Sequence, residues 1–131
     1  MKKIVLLFFV VFSLSLYAQE VGIRFSNDSL LSEALARSKK EGKLVFIDCY
    51  TTWCGPCKLL APHLQAIQNK YKGKLIVYKI DVDKSPELAQ KFNVDAMPTI
   101  VFMNNKSFNS ELGYREFNDL ENLVKTYFFR K

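Results

Sequence analysis

The sequence predicts an α/β domain in which helices cover both faces of a mixed sheet of four or five strands, and three observations carry that expectation. Helical and strand-like patterns alternate along most of the chain. One strand-like run, Lys43 to Tyr50, is apolar almost throughout, and two short strand-like runs follow one another near the C-terminus across an Asn-rich turn. An almost continuously apolar strand suggests burial on both faces, as in a parallel sheet, whereas two strands joined by a tight turn pair as a hairpin.

At 131 residues, with 49% hydrophobic and 14% aromatic content, the chain can build one core of its own and is not expected to be disordered. Its first segment stands apart from the fold. Met1-Lys2-Lys3 is followed by an apolar run of 14 residues from Ile4 to Tyr17 and then by Ala18-Gln19-Glu20. That run is shorter than the roughly 20 residues of a membrane-spanning helix and is closed by a small residue, as in a secretory signal peptide. Residues 1–18 are therefore expected to be removed after about Ala18, leaving a domain over 19–131 in an exported, periplasmic protein, with an uncleaved membrane anchor as the alternative. No cysteine follows the run to carry a lipid. Removing Lys2 and Lys3 leaves 17 basic and 13 acidic residues, a net charge of +4. The surplus is spread out and lacks the arginine-rich, aromatic-interleaved patch of a nucleic-acid site, so a solvated surface is expected.

Taken in order, Ser29 to Glu41 carries Leu31, Ala34, Leu35 and Ser38 at helical spacing and meets a stop signal at Gly42. Lys43 to Tyr50 is the buried strand. A long helix is expected from about Cys54 to Lys72, interrupted by a kink at Pro62. Leu75 to Asp83 is the next strand, and Ser85-Pro86-Glu87 opens a short helix with a capping serine and a proline in its first turn. Thr99 to Met103 and Phe108 to Gly113 form the hairpin around Asn104-Asn105-Lys106. Asn118, with Glu121 three residues on, is expected to cap a last helix bearing Leu120, Leu123, Val124 and Tyr127.

The chemistry concentrates in Trp53-Cys54-Gly55-Pro56-Cys57-Lys58, where strand gives way to helix. Cys54 would sit at a helix N-terminus, where unpaired backbone N–H groups and the helix dipole favour a thiolate and hence a nucleophile. Cys57, one turn on, is close enough to form a disulfide with it. A structural bridge of that size would close too small a loop to stabilise much, so redox use is favoured, although an inert pair is the alternative. Cys49 is the odd third cysteine and is expected to be a small buried apolar residue. Cys49, Cys54, Cys57 and His63 can be scanned as four zinc ligands, but Cys49 lies within a strand. At about 100° per residue, His63 falls about half a turn round the helix from Cys54. No metal site is therefore expected, and His63 is read as a surface or partly buried histidine. Asp48 is costly to bury inside Val45-Phe46-Ile47 and Cys49-Tyr50, so it is expected to have a specific use or else to point outward to a surface lysine.

These residues resemble the thioredoxin family. Trp53-Cys54-Gly55-Pro56-Cys57-Lys58 matches its active-site signature, Pro62 its helix-kinking proline, Met97-Pro98-Thr99 its cis-proline segment, and the interval from Cys57 to Pro98 its usual spacing. The resemblance covers nearly all of the chain after about Ser26. It departs at Met97, where isoleucine is usual, and at Cys49-Tyr50, where the family has an aromatic pair. It implies a thioredoxin fold and a thiol–disulfide oxidoreductase in which Cys54 attacks and Cys57 resolves the mixed disulfide. By the same resemblance Asp48 accepts the proton of the resolving thiol through water, Lys79 neighbours Asp48, and the Met97–Pro98 bond is cis. Trp53, Gly55, Pro56, Met97, Pro98 and Gly113 would form the surface that meets substrate.

No metal or organic cofactor is implied beyond the redox-active Cys54–Cys57 disulfide. The implied partners are disulfide-containing proteins and a thiol electron donor, such as a membrane thiol carrier, acting on a monomer with no nucleic acid. The Gly-Pro dipeptide and Asp48 favour reduction as the direction. An oxidase or isomerase, and a redox-regulated protein-binding module, are the competing readings.

Overall fold

A computed structural model describes residues 23–25, 28–104 and 107–130. The expected signal segment lies outside these residues. Five strands form one sheet: β1 (Ile23–Phe25), β2 (Leu44–Tyr50), β3 (Leu75–Asp81), β4 (Thr99–Met103) and β5 (Phe108–Leu112), in the order β1-β3-β2-β4-β5. β1 and β2 pair parallel with β3, β4 is antiparallel to β2, and β5 is antiparallel to β4. The mixed α/β sheet expected from the sequence is thus borne out, with β1 as a fifth strand at its edge.

Alternation along β2 divides the core. Val45, Ile47 and Cys49 pack with Leu31 and Ala34 of α1 (Asp28–Lys40) and with Leu88 and Phe92 on and after α3 (Pro86–Lys91). Phe46 joins Leu60, Leu64 and Ile67 of α2 (Gly55–Lys70) and Leu120 and Val124 of α4 (Phe117–Val124). Each face of the sheet therefore carries two helices. Asp48 and Tyr50 share the parity of Phe46 and take the α2 face.

The α1 helix ends in a Schellman motif. Gly42 stands at φ +67°, with Gly42 N–H donating to Lys39 O (3.2 Å) and Lys43 N–H to Ser38 O (2.9 Å). The α2 helix runs through Pro62 as one helical element, with the proline on its exposed side. β3 stops at Asp81 rather than Asp83, because the Asp81 carboxylate accepts the N–H of Asp83 at 3.2 Å and turns the chain there. Ser85 is the N-cap of α3 but makes no side-chain capping bond.

The last helix begins earlier than expected. Its N-cap is Glu116, and Asn118 lies within the helix. The reciprocal cap does not form because the Glu121 carboxylate is engaged elsewhere, with Lys70, with Lys125 (3.3 Å) and with the Tyr71 hydroxyl (3.3 Å). A π-helical turn, Lys125–Phe129, follows α4 and brings the Tyr127 hydroxyl to Glu111 on β5.

Candidate active site

The sheet register gathers the site at one pole. β2 delivers Asp48 and Tyr50 at its C-terminal end and then the loop to Cys54. Because β4 runs antiparallel with Cys49 opposite Thr99, Pro98 enters beside that loop. Thr99 lies opposite Leu112 on β5, so Gly113 comes next to Pro98 and its N–H donates to Pro98 O at 2.8 Å. Gly113 holds φ +96°, a conformation glycine adopts without the Cβ penalty.

Cys54 is the N-cap of α2, and the N–H of Cys57 points to its Sγ at 3.2 Å. The first turn of α2 contains no acidic residue to oppose a thiolate there. Cys54 and Cys57 form a disulfide with Cα atoms 5.3 Å apart. Both are largely covered, at 6% and 7% exposure, and pack with Tyr50 and the half-buried Met97. The Met97–Pro98 bond is cis, as the resemblance implied. Gly55 and Pro56 occupy the exposed first turn of α2. Trp53 is 67% exposed and lies along the rim, its indole N–H donating to Asp83 Oδ2 at 2.8 Å.

Beneath the cysteines lies a buried ion pair. Lys79 faces Asp48 across the β2–β3 register, and its Nζ donates to Asp48 Oδ2 at 3.0 Å. Asp48 is 1% exposed, so the outward-pointing alternative does not hold. Its Oδ1 has no hydrogen-bond partner among the described residues. Burial pushes the Asp48 carboxyl above the usual carboxylate range, against the opposing pull of the Lys79 ammonium. The raised value moves it toward that of a general base working near neutrality.

Cys49 lies on the other side of the sheet, in the α1–α3 core, and is fully buried as a free thiol. Burial, helped by the Asp48 charge, pushes that thiol up to about 12, so it is inert at ordinary pH. His63 is partly buried and its Nε2 lies 2.9 Å from the Tyr114 hydroxyl, tying α2 to the loop after Gly113. Cys49 and His63 thus belong to surroundings separate from the disulfide. Among the described residues, no three His, Cys, Asp or Glu side chains cluster as metal ligands.

Sequence reasoning assigned Asp83, Tyr114 and Tyr50 no part in the site. Asp83 joins it through a tertiary hydrogen bond from Trp53 with no local pattern, and Tyr114 lies on the loop after Gly113, bonded to His63. Tyr50 was visible only as a departure from the family's aromatic pair.

Comparison with known proteins agrees with this geometry. Residues 26–126 match the family model described as Thioredoxin. The chain is 34% identical over 104 residues to thioredoxin H-type of Oryza sativa subsp. indica, covering 79% of this chain and 84% of that protein. It is 44% identical over 63 residues to Thioredoxin-T of Drosophila melanogaster, where the match spans 48% of this chain and 40% of the relative. Among solved structures, thioredoxin NaTrxh from Nicotiana alata is 31% identical with a TM-score of 0.73, covering 82% of this chain and 93% of that one.

Proposed function

The chain belongs to the thioredoxin family of thiol–disulfide oxidoreductases, and from that premise we propose that it reduces the disulfides of exported proteins with the Cys54–Cys57 pair. The observation that carries this reading is the pair itself, closed as a disulfide at the N-terminus of α2 above the Asp48–Lys79 ion pair.

In the dithiol form the Cys54 thiolate attacks one sulfur of a substrate disulfide. A Cys54–substrate bond forms and the other substrate sulfur leaves as a thiolate. Cys57 then gives its proton to Asp48 and attacks Cys54 Sγ, which forms the Cys54–Cys57 disulfide and expels the second substrate thiolate. Both departing thiolates are protonated by solvent or by Asp48, and two electrons have passed to the substrate. An extended substrate segment would lie against the Met97–Pro98 backbone, with Trp53, Gly55, Pro56 and Gly113 as the surrounding contact surface.

Reduction as the direction is supported by Gly55-Pro56 between the cysteines and by Asp48. Export to the periplasm, with cleavage after about Ala18, is supported by the Lys2-Lys3 and Ile4–Tyr17 pattern. The sequence contains no nucleotide or flavin motif, so regeneration requires a second thiol protein, for which a membrane thiol carrier is suited. We read the working unit as a monomer.

The test is trapping in cells. Full-length Cys57→Ala, quenched in acid and alkylated, should accumulate reductant-sensitive complexes with exported proteins, and Cys54→Ala should not. The processed chain should have the mass expected from Gln19 onward. Complexes only with cytosolic proteins together with an unprocessed mass would refute export, and absence of covalent complexes would refute exchange through Cys54.

A further inference from the structure

The buried charge beneath the disulfide has a third member. The Lys79 ammonium lies 4.6 Å from the centroid of the Tyr50 ring as well as 3.0 Å from Asp48 Oδ2. Asp48 and Tyr50 are two residues apart on β2 and share its α2 face, so one lysine from β3 reaches both. Lys79 and Tyr50 are each 9% exposed, and Tyr50 also packs with Cys54 and Cys57.

An ammonium ion withdrawn from water needs its hydration replaced, and a single carboxylate oxygen replaces only part of it. The negative face of an aromatic ring supplies another part, and more effectively where water is excluded. A lysine side chain is long and flexible, so a ring that fixes the ammonium also fixes its distance to the carboxylate.

Among the residues whose side chains are described, the other charges nearby do not compete for this arrangement. On β3, Asp81 lies opposite Tyr50, but its carboxylate takes the Asp83 N–H and lies 3.7 Å from Lys84. β4 presents Ile100 opposite Asp48, α2 brings the Cys54 and Cys57 sulfurs, and α4 adds the apolar Leu120 and Val124 to this face. Among the described side chains, Lys79 is the charge that lowers the Asp48 carboxyl against the effect of burial.

We propose that Tyr50 is a positioning residue for the exchange reaction: its ring face holds the Lys79 ammonium against Asp48 and thereby sets the pH at which Asp48 takes the proton of Cys57. This rests on the reading of Asp48 as proton acceptor. In the step concerned, the Cys57 S–H bond breaks, its proton passes to the Asp48 carboxylate, the Cys57–Cys54 bond forms and the substrate thiolate leaves. The ring takes no part in bond making. It alters how readily Asp48 is ionised when the thiol needs a base.

The experiment is the pH–rate profile for resolution of a preformed Cys54 mixed disulfide, in wild type, Tyr50→Leu, Tyr50→Phe and Asp48→Asn. Removing the ring should release Lys79 and raise the acid limb in Tyr50→Leu by roughly half a pH unit or more, about a threefold rate loss on that limb. Tyr50→Phe keeps the ring face and should keep the wild-type position of the limb. A Tyr50→Leu limb that superposes on wild type, or a Tyr50→Phe limb displaced as far as Tyr50→Leu, would overturn the assignment of Tyr50. Loss of the limb in Asp48→Asn supports the underlying role of Asp48, and its persistence there would overturn both readings. A measurement on wild type needs no variant to fold: the Lys79 Cε protons should show an upfield ring-current shift in the NMR spectrum, and its absence would overturn the placement of the ammonium over the ring.

Discussion

Asp48 is 1% exposed and its charged partner, Lys79, is 9% exposed, so both ions have lost most of their water. Lys79 lowers the cost of ionising Asp48, but burial raises it further, and the folded carboxyl titrates above its unfolded value. The folded state then holds that proton more tightly than the unfolded state does. The stability is fully present below the ordinary aspartate range and is lost as pH rises through the raised folded value. Asp48→Asn removes this titration while keeping the shape. In urea unfolding of the oxidised protein, the variant should be more stable than wild type at pH 9, with the gap closing toward pH 4. A wild type that gains on the variant as pH rises would mean that the attraction of Lys79 outweighs burial. The residue was legible in the sequence because a carboxylate inside Val45 to Tyr50 is anomalous wherever that run folds. The Trp53–Asp83 hydrogen bond was not, because it joins residues that only the fold of the β3 C-terminus brings together.

Elements with a strong local signal were placed well, and those governed by tertiary competition were not. β2 is apolar but for Asp48 and fills the centre of the sheet, β4 spans Thr99–Met103 as expected, and Gly42 ends α1 at φ +67°. At Gly42 an alanine would meet no atom within 4 Å, so the cost of substitution is conformational alone. Gly42→Ala should therefore lower stability by about 1 kcal/mol in denaturant unfolding. It should leave the exchange rate unchanged, since the Schellman motif lies at the opposite end of β2 from Cys54. An unchanged stability would contradict the left-handed conformation at this position. β1 escaped the sequence reading because three residues are too few to show a period. The start of α4 was misplaced because Asn118 and Glu121 resemble a capping box, whereas Glu121 is drawn to Lys70, Lys125 and Tyr71 instead. The π-helical turn at Lys125–Phe129 has no composition of its own and depends on where Tyr127 and Phe128 find the core.

Across the whole molecule, the strand order puts the C-terminal ends of β2 and β3, the entry to β4 and the exit from β5 at one pole. Binding and reaction sites in open α/β sheets form where such strand ends meet. Here that pole combines Cys54 at a helix N-terminus, Cys57 bonded to it one turn on, the buried Asp48 carboxylate and an exposed rim of Trp53, Gly55 and Pro56. The motif and its spacing made most of this pole legible from the sequence. The Lys79–Tyr50 contact and the His63–Tyr114 tie required three dimensions. The account as a whole stands on the Cys54–Cys57 pair serving as a reductant. The most direct test is its reduction potential in the purified protein, measured by equilibration against dithiothreitol or glutathione followed by thiol trapping. The account predicts a value near or below that typical of thioredoxins, about −270 mV, and a value near the roughly −180 mV of disulfide isomerases or higher would contradict it.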